Sequence, residues 1–315
     1  MVAVLAPGQG SQRPGQLLPW LGLPGVHDHL AALGEAAGTD LLHAGTLASA
    51  EELKATEVAQ PLTVACALVA AAALGQRGLA ADVLAGHSVG EWAACALAGV
   101  LPEEEVLRLV VVRAAAMGAA CRVRPTGMAA VLGGERDEIL ATFANLGLEA
   151  ANDNGPGQLV AGGGLEALDE LAGNPPAGAR VRRLPVAGAF HTAAMASAVQ
   201  PLRDAVATVR PRDPLLPLLS CADGAVVTDG ADALDRLVRQ VAAPVRFDRV
   251  LAALARSGVT AVVELPPAGA LAGLARRALP GATVVALDAP DRLAAPSADD
   301  PEAAAGAAVA LGSRA

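Results

Sequence analysis

A serine held between two glycines, where an apolar run hands over to a helix-forming run, constrains this chain more than any other feature. The stretch is Val83-Leu84-Ala85-Gly86-His87-Ser88-Val89-Gly90, followed by the alanine-rich residues 91–98. Read locally it is strand, sharp turn, helix. A side chain at position 86 or 90 would collide with backbone folded back on itself, so glycine stands at both. The bend pushes the Ser88 hydroxyl outward and turns the N–H groups of the helix start toward whatever that hydroxyl meets. The pentapeptide alone leaves two readings open: a nucleophile at a strained tip, or a serine that only caps a helix.

The core that must hold this bend is built from Ala, Val and Leu, because 53% of the residues are hydrophobic and only 2% are aromatic. A length of 315 residues suits one large domain with an insert, or two domains. The formal net charge of −9 argues against an extended nucleic-acid surface. Cys66, Cys95, Cys121 and Cys221 form no C-x-x-C pair, and the five histidines are scattered, so no metal-ligand spacing is present. Reduced, buried thiols in a cytoplasmic protein are expected. The first residues carry no basic leader, so no signal peptide is expected. The longest apolar run, residues 62–74, is shorter than the ~18 residues of a membrane span.

Taken in order, residues 2–5 read as a buried strand that breaks at Pro7-Gly8-Gln9-Gly10-Ser11-Gln12. Loops at the carboxyl ends of strands hold ligands in α/β folds, which makes Gln9 a candidate site residue. His27, His29 and His43 read as surface histidines. Pro61 is expected to start a long helix through residue 72, and Glu103-Glu104-Glu105 to start another with the charge that a helix N-terminus favours. That second helix carries Arg113 between apolar turns, with Leu109, Val110, Ala116 and Met117 at the neighbouring positions and no acid among them. A buried guanidinium without a partner is costly, so either a distant acid or a ligand anion must answer it.

From Thr126 the texture changes. Strands are expected over 128–132, 148–152, 158–161 and 181–184, and helices over 135–145 and 165–171. The resulting β-α-β-β-α-β order is the split βαβ, ferredoxin-like unit, read as a small domain inserted in a larger one. His191 follows at a loop-to-helix junction, as a capping or core histidine or as a base. Helix and strand then alternate: helices over 237–241, 247–257 and 269–278, a strand over 259–265 and an edge strand over 283–287. Residues 294–315, rich in Ala, Ser, Asp and Pro, read as a frayed tail.

Over nearly its whole length the chain resembles the malonyl-CoA:acyl carrier protein transacylases of fatty acid and polyketide synthesis. The resemblance rests on Pro7-Gly8-Gln9-Gly10-Ser11-Gln12, Ala59-Gln60-Pro61, Gly86-His87-Ser88-Val89-Gly90-Glu91, and Leu109 to Arg113 with Met117. It continues with Asn154 and Gln158, Gly188-Ala189-Phe190-His191 with Met195, and Gln240 with Pro244-Val245-Arg246-Phe247. It implies an α/β-hydrolase-like core with a parallel sheet, formed by residues 1–124 and 192–315, around a ferredoxin-like insert over 125–191. Ser88 would be the nucleophile and His191 its general base. Backbone N–H groups of Gln9 and Val89 would form the oxyanion hole. Arg113, with Gln60 and Phe190, would bind the substrate. A backbone carbonyl at Arg246 would orient the histidine in place of an acidic third member. Phe190 before the histidine and the small Val89 after the serine go with malonyl; Ser at the Phe position goes with methylmalonyl.

The resemblance further implies that malonyl-CoA and an acyl carrier protein are the partners, that CoA and the phosphopantetheine arm are substrates, and that no bound cofactor or metal is needed. A stand-alone monomer is expected. Arg122, Arg124, Arg182 and Arg183 flank the insert boundaries and are candidates for carrier docking. Three departures from the family pattern stand out: Asp153 beside Asn154, Arg246 where several stand-alone members carry Gln, and Pro266-Pro267-Ala268-Gly269 in place of a Gly-Pro-Gly turn. Two rivals remain. An α/β-hydrolase esterase or thioesterase would place its histidine near the C-terminus, yet no histidine follows His191. A non-catalytic carrier-docking module would have no use for Ser88, His191 and Arg113 together.

Overall fold

A computed structural model describes residues 1–76 and 78–293 of the chain, so the tail expected over 294–315 lies outside the described residues. The first part of the chain runs β1 (Val2–Ala6), α1 (Val26–Ala37), α2 (Leu41–Thr46), α3 (Thr56–Gly75), β2 (Val83–Gly86), α4 (Gly90–Leu97) and α5 (Glu103–Cys121). Next come β3 (Thr126–Gly133), α6 (Arg136–Asn145), β4 (Glu149–Asp153), β5 (Gln158–Gly164), α7 (Leu165–Gly173) and β6 (Ala179–Arg183). The last part runs α8 (Ala196–Val206), β7 (Leu218–Leu219), β8 (Val226–Val227), α9 (Gly230–Gln240), β9 (Val245–Arg246), α10 (Phe247–Arg256), β10 (Ala261–Glu264), α11 (Ala270–Ala278) and β11 (Thr283–Ala286).

The strands form a six-stranded sheet in the order β11-β10-β1-β2-β7-β8 and a five-stranded sheet in the order β6-β3-β5-β4-β9. In the larger sheet β1 is central, with β10 and β2 parallel to it on either side; β11 and β7 are parallel too, and only the edge strand β8 runs antiparallel, to β7. Alternate side chains of β1 face opposite ways, as the pleat requires. Val2, Val4 and Ala6 join the larger core with α3, α4 and α5, while Ala3 and Leu5 join a second core with α10 and α11. The smaller sheet divides in the same way. Ala129 and Val131 pack with Ile139, Phe143, Leu168 and Leu171 of α6 and α7; Met128 and Ala130 belong to the larger core. Both faces of this sheet are therefore covered, and its second face closes onto the body of the protein.

Several elements differ from the sequence reading. Helix α3 begins at Thr56 and carries Pro61 inside it, rather than starting there. The missing proline N–H frees only the carbonyl of Glu57, in the first turn, so the helix continues. This helix is long and apolar enough to cross a membrane, but most of it is buried inside the fold. Helices α1 and α2 are not expected from the sequence, nor are the two-residue strands β7, β8 and β9; α8 is the helix expected after His191, which the sequence leaves without bounds. The smaller sheet is not confined to 125–191: β9 adds to it in parallel with β4. His29 is half-buried rather than simply at the surface, because its Nε2 meets Glu103 at the start of α5. The Glu103 hydrogen bond raises its pKa.

The three departures noted above are accommodated locally. The Asp153 carboxylate, almost wholly buried, accepts from the Arg136 guanidinium at 2.8 Å. Arg246 lies 3.9 Å from it and pairs with Asp248 at 2.7 Å. The Pro266–Pro267 peptide is cis. Beyond it, the buried Glu264 carboxylate accepts the N–H groups of Gly269, Leu271 and Ala272 and so caps the start of α11.

Candidate active site

The bend after β2 is held as tightly as its glycines imply. A Cβ on Gly86 would lie 2.3 Å from the backbone N of Glu91, and one on Gly90 would lie 2.2 Å from the carbonyl oxygen of Ala6. Ser88 between them has φ 54, a left-handed conformation that disfavours any residue with a Cβ. His191 is the other non-glycine residue at positive φ among the described residues, at 62. Two strained residues, 103 positions apart in the chain, meet: Ser88 Oγ lies 2.6 Å from His191 Nε2.

The histidine tautomer follows from its other contact. His191 Nδ1 lies 2.7 Å from the backbone carbonyl of Gln240, which can only accept, so Nδ1 carries the hydrogen. Nε2 is then bare and accepts from the Ser88 hydroxyl. The orienting carbonyl is thus that of Gln240, not of Arg246. Gln240 is the last residue of α9, where carbonyls are freed from the helical ladder, whereas Arg246 sits in the β9 pairing beside β4. Burial, and then the charge of Arg113, lower the His191 pKa to about 3. The ring is neutral at neutral pH, as a proton acceptor must be.

Arg113 comes from α5, which packs against α3. Its side chain is fully buried, and its Nη1 donates to Gln60 Oε1 at 2.6 Å. Its Nη2 donates to Ser88 Oγ at 3.3 Å. Among the described residues no carboxylate forms an ion pair with it, and its Nε has no partner. Of the two answers open from the sequence, a distant acid is represented only by the charge of Glu91, without an ion pair, so the guanidinium is left open to a ligand anion. Burial lowers its pKa to about 10, with the charge of Glu91 acting the other way, so it stays cationic at neutral pH.

A cavity of about 80 Å³ adjoins these groups, lined by Gln9, Gln60, Ser88, Val89, Phe190 and His191 among others. Its size suits a short acyl unit. Among the described residues the backbone N–H groups of Gln9 and Val89 make no hydrogen bond within the protein. Both residues face the cavity, so the proposed donors are free. His87 lines the same space, with its Nε2 2.9 Å from Asn154 Oδ1 and its ring edge-on to Phe247. Asp153 and Gln158 line a neighbouring hollow of about 270 Å³ that holds no serine or histidine.

Two groups around the site had no role in the sequence reading. Gln240 supplies the carbonyl, a backbone atom that no side-chain motif announces. Glu91 is almost wholly buried directly behind the bend, and burial raises its pKa to about 7. The available signal was a lone acid followed by Trp92-Ala93-Ala94-Cys95: an acid in so apolar a helix must find donors inside the fold.

The model of the family described as the acyl transferase domain matches residues 5–296. A malonyl CoA-acyl carrier protein transacylase of Mycobacterium tuberculosis strain H37Rv is 50% identical over 293 residues, covering 92% of this chain and 97% of that protein. The counterpart of Escherichia coli K12 is 33% identical over 305 residues, covering 93% and 97%. The crystal structure of MCAT from Mycobacterium tuberculosis superposes with a TM-score of 0.89 at 50% identity, over 92% of this chain and 97% of that one. A malonyl-transacylase solved in complex with its type II PKS acyl carrier protein superposes with a TM-score of 0.86 at 28% identity, over 91% and 96%.

Proposed function

The chain belongs to the acyl transferase domain family that includes the malonyl CoA-acyl carrier protein transacylases, and from that premise we propose how it moves a malonyl group from malonyl-CoA to the phosphopantetheine thiol of an acyl carrier protein. The acyl group rests in between as an ester on Ser88. The observation that carries this reading is one hydroxyl with two partners: Ser88 Oγ faces the bare Nε2 of His191 and the guanidinium of Arg113.

In the first half-reaction Oγ attacks the thioester carbonyl while His191 Nε2 takes its proton. The N–H groups of Gln9 and Val89 receive the oxyanion; losing one such donor typically costs ~10²–10³ in rate. Collapse breaks the C–S bond, and the proton passes from Nε2 to the leaving CoA thiol. In the second half-reaction the carrier thiol gives its proton to Nε2 and attacks the ester, and collapse returns the proton to Oγ. Exchanging one thioester for another is nearly isoenergetic, so the serine ester can serve both directions. Throughout, the planar Arg113 guanidinium, braced by Gln60, pairs both oxygens of the free malonyl carboxylate. With Nη2 3.3 Å from Oγ, a three-carbon diacid on the serine reaches it easily. Phe190 in the cavity wall crowds the α-carbon and so favours malonyl over methylmalonyl groups.

The larger sheet and its helices are read as an α/β-hydrolase-like core, and the β6-β3-β5-β4 order of the smaller sheet as a ferredoxin-like insert. The active-site cavity lies where the two close on each other. The reaction as read uses no bound cofactor, and its CoA and carrier substrates place it in the cytoplasm, feeding fatty acid or polyketide synthesis. Exposed Arg124 and Arg182, with Arg122 and Arg183, are read as the face that meets the carrier.

Intact-mass measurement after mixing with malonyl-CoA tests the reading. The native protein is expected to gain one malonyl group. Ser88→Ala is expected to gain none, and Arg113→Ala to gain little malonyl and to lose its preference over acetyl-CoA. Malonylation of Ser88→Ala at the native level would refute it.

A further inference from the structure

Resting on that reading, we propose that Glu91 is the positioning residue of this site, the buried acid that fixes the Gln240 carbonyl against His191. Glu91 does not touch the reacting atoms. One of its carboxylate oxygens, Oε1, accepts the backbone N–H of Cys221 at 2.8 Å, and the other, Oε2, accepts from the side-chain amide of Gln240. Gln240 in turn presents its backbone carbonyl to His191 Nδ1. A single carboxylate thus ties the start of α4, the segment after β7 and the end of α9 together immediately behind the nucleophile.

Position explains why an acid stands there. Glu91 is three residues from Ser88 on the same bend-and-helix unit, so whatever it holds is held relative to the nucleophile. Gln240 is the last residue of α9, where a terminal residue is free to turn unless its side chain is anchored. In the described residues, the Gln240 amide donates to no other acceptor, and its own oxygen is buried without a partner. Its anchoring therefore depends on Glu91. The imidazole of His191 is aimed by a neutral carbonyl, and that carbonyl is aimed by an acid one step further back.

The test is steady-state kinetics on three proteins: Glu91→Gln, the exchanged pair Glu91→Gln/Gln240→Glu, and Ser88→Ala as a control. Glutamine at 91 keeps an acceptor for Cys221 but presents a donor to the Gln240 amide, which must turn over to accept it, so a charge-assisted hydrogen bond becomes a neutral one and leaves the Gln240 NH2 unpaired. A loss in kcat on the order of tenfold to a hundredfold is expected, with the KM for malonyl-CoA unchanged or lower, since aim is lost and the malonyl grip is not. A general loosening of the fold would raise KM instead. The exchanged pair restores a carboxylate–amide hydrogen bond in reversed order and is expected to recover most of kcat. Native kcat in Glu91→Gln, a rise in its KM in step with the loss, or an exchanged pair no faster than Glu91→Gln would each overturn the proposal. Native activity in Ser88→Ala would overturn the reading beneath it, whatever Glu91 does.

Discussion

At the residue scale, the proposed chemistry depends on holding His191 neutral while Arg113 stays charged beside it. Burial first, and Arg113 second, take His191 from 6.5 down to about 3. In the unfolded chain the ring binds a proton below its ordinary pKa; in the fold it does not until far lower. Between those values the unfolded state holds more protons, so this residue costs stability progressively as pH falls from the ordinary value toward 3. Glu91 works in the opposite direction. Burial lifts it from 4.5 to about 7, so the fold holds more protons than the unfolded chain over that window, and the contribution is lost as pH rises through it. For catalysis the expected outcome is an acid limb of kcat/KM for malonyl-CoA well below pH 6.5, the ordinary histidine value. A single-turnover pH series on the native protein and on Glu91→Gln checks this: a limb near 7 that disappears in Glu91→Gln belongs to Glu91, and a limb at or above 6.5 that persists there would mean that the ring is not desolvated in the working enzyme. Ser88 stands out in the sequence by its flanking glycines; Arg113 and His191 are picked out by the family resemblance, since the residues themselves leave a second reading open at each. The Gln240 carbonyl does not stand out, because every residue has one, and only the end of a helix makes this one free.

At the scale of elements, the unit from β2 through the bend to α4 stores strain at its tip. Ser88 at φ 54 gives up roughly 1–2 kcal/mol relative to an unstrained backbone. Ser88→Gly is expected to be about 1 kcal/mol more stable than Ser88→Ala, although both are inactive, because only glycine accepts that φ at little cost. Urea midpoints of the two variants measure the difference, and equal midpoints would show that the tip is relaxed. Gly90 is the converse case: the Ala6 carbonyl would be 2.2 Å from an added Cβ, so backbone on both sides must move. Elements with strong patterns, such as β1, β2, α5 and the six segments of the insert, were readable to within a few residues. Those not read are short or compositionally mixed. Strands β7, β8 and β9 have two residues each, too few for an alternating pattern to register. Helix α3 extends N-terminal of Pro61 because the missing proline hydrogen bond falls in the first turn, where a proline looks like a start signal in sequence alone.

At the scale of the whole molecule, a net charge of −9 has to coexist with the proposed carrier partner, which the family resemblance implies is itself acidic. Arg122 and Arg183 are partly engaged, with Glu57 at 3.2 Å and with Asp169 at 2.7 Å, which leaves Arg124 and Arg182 as the more available cations of the four. Reversing the charge of Arg124 and Arg182 is expected to raise the KM for the carrier protein several-fold, more at low salt, and to leave the malonyl-CoA kinetics unchanged. Equal effects on both substrates would exclude this face as the docking surface. The charge balance of the chain indicated that such a patch was needed, but the sequence alone could not say which arginines were already spoken for.

One short strand has a mechanical consequence. Val245 and Arg246 come from the main body yet complete the smaller sheet, opposite Asn152 and Asp153. The two lobes are therefore stitched by backbone as well as packed by side chains, and they cannot gape along that seam without tearing the stitch. A fragment cut out at residues 125–191 would carry a raw β4 margin, ready to zip onto any passing strand. In the intact chain the same seam ties β4, whose Asn152 lines the cavity beside Ser88, to the segment that leads into α10.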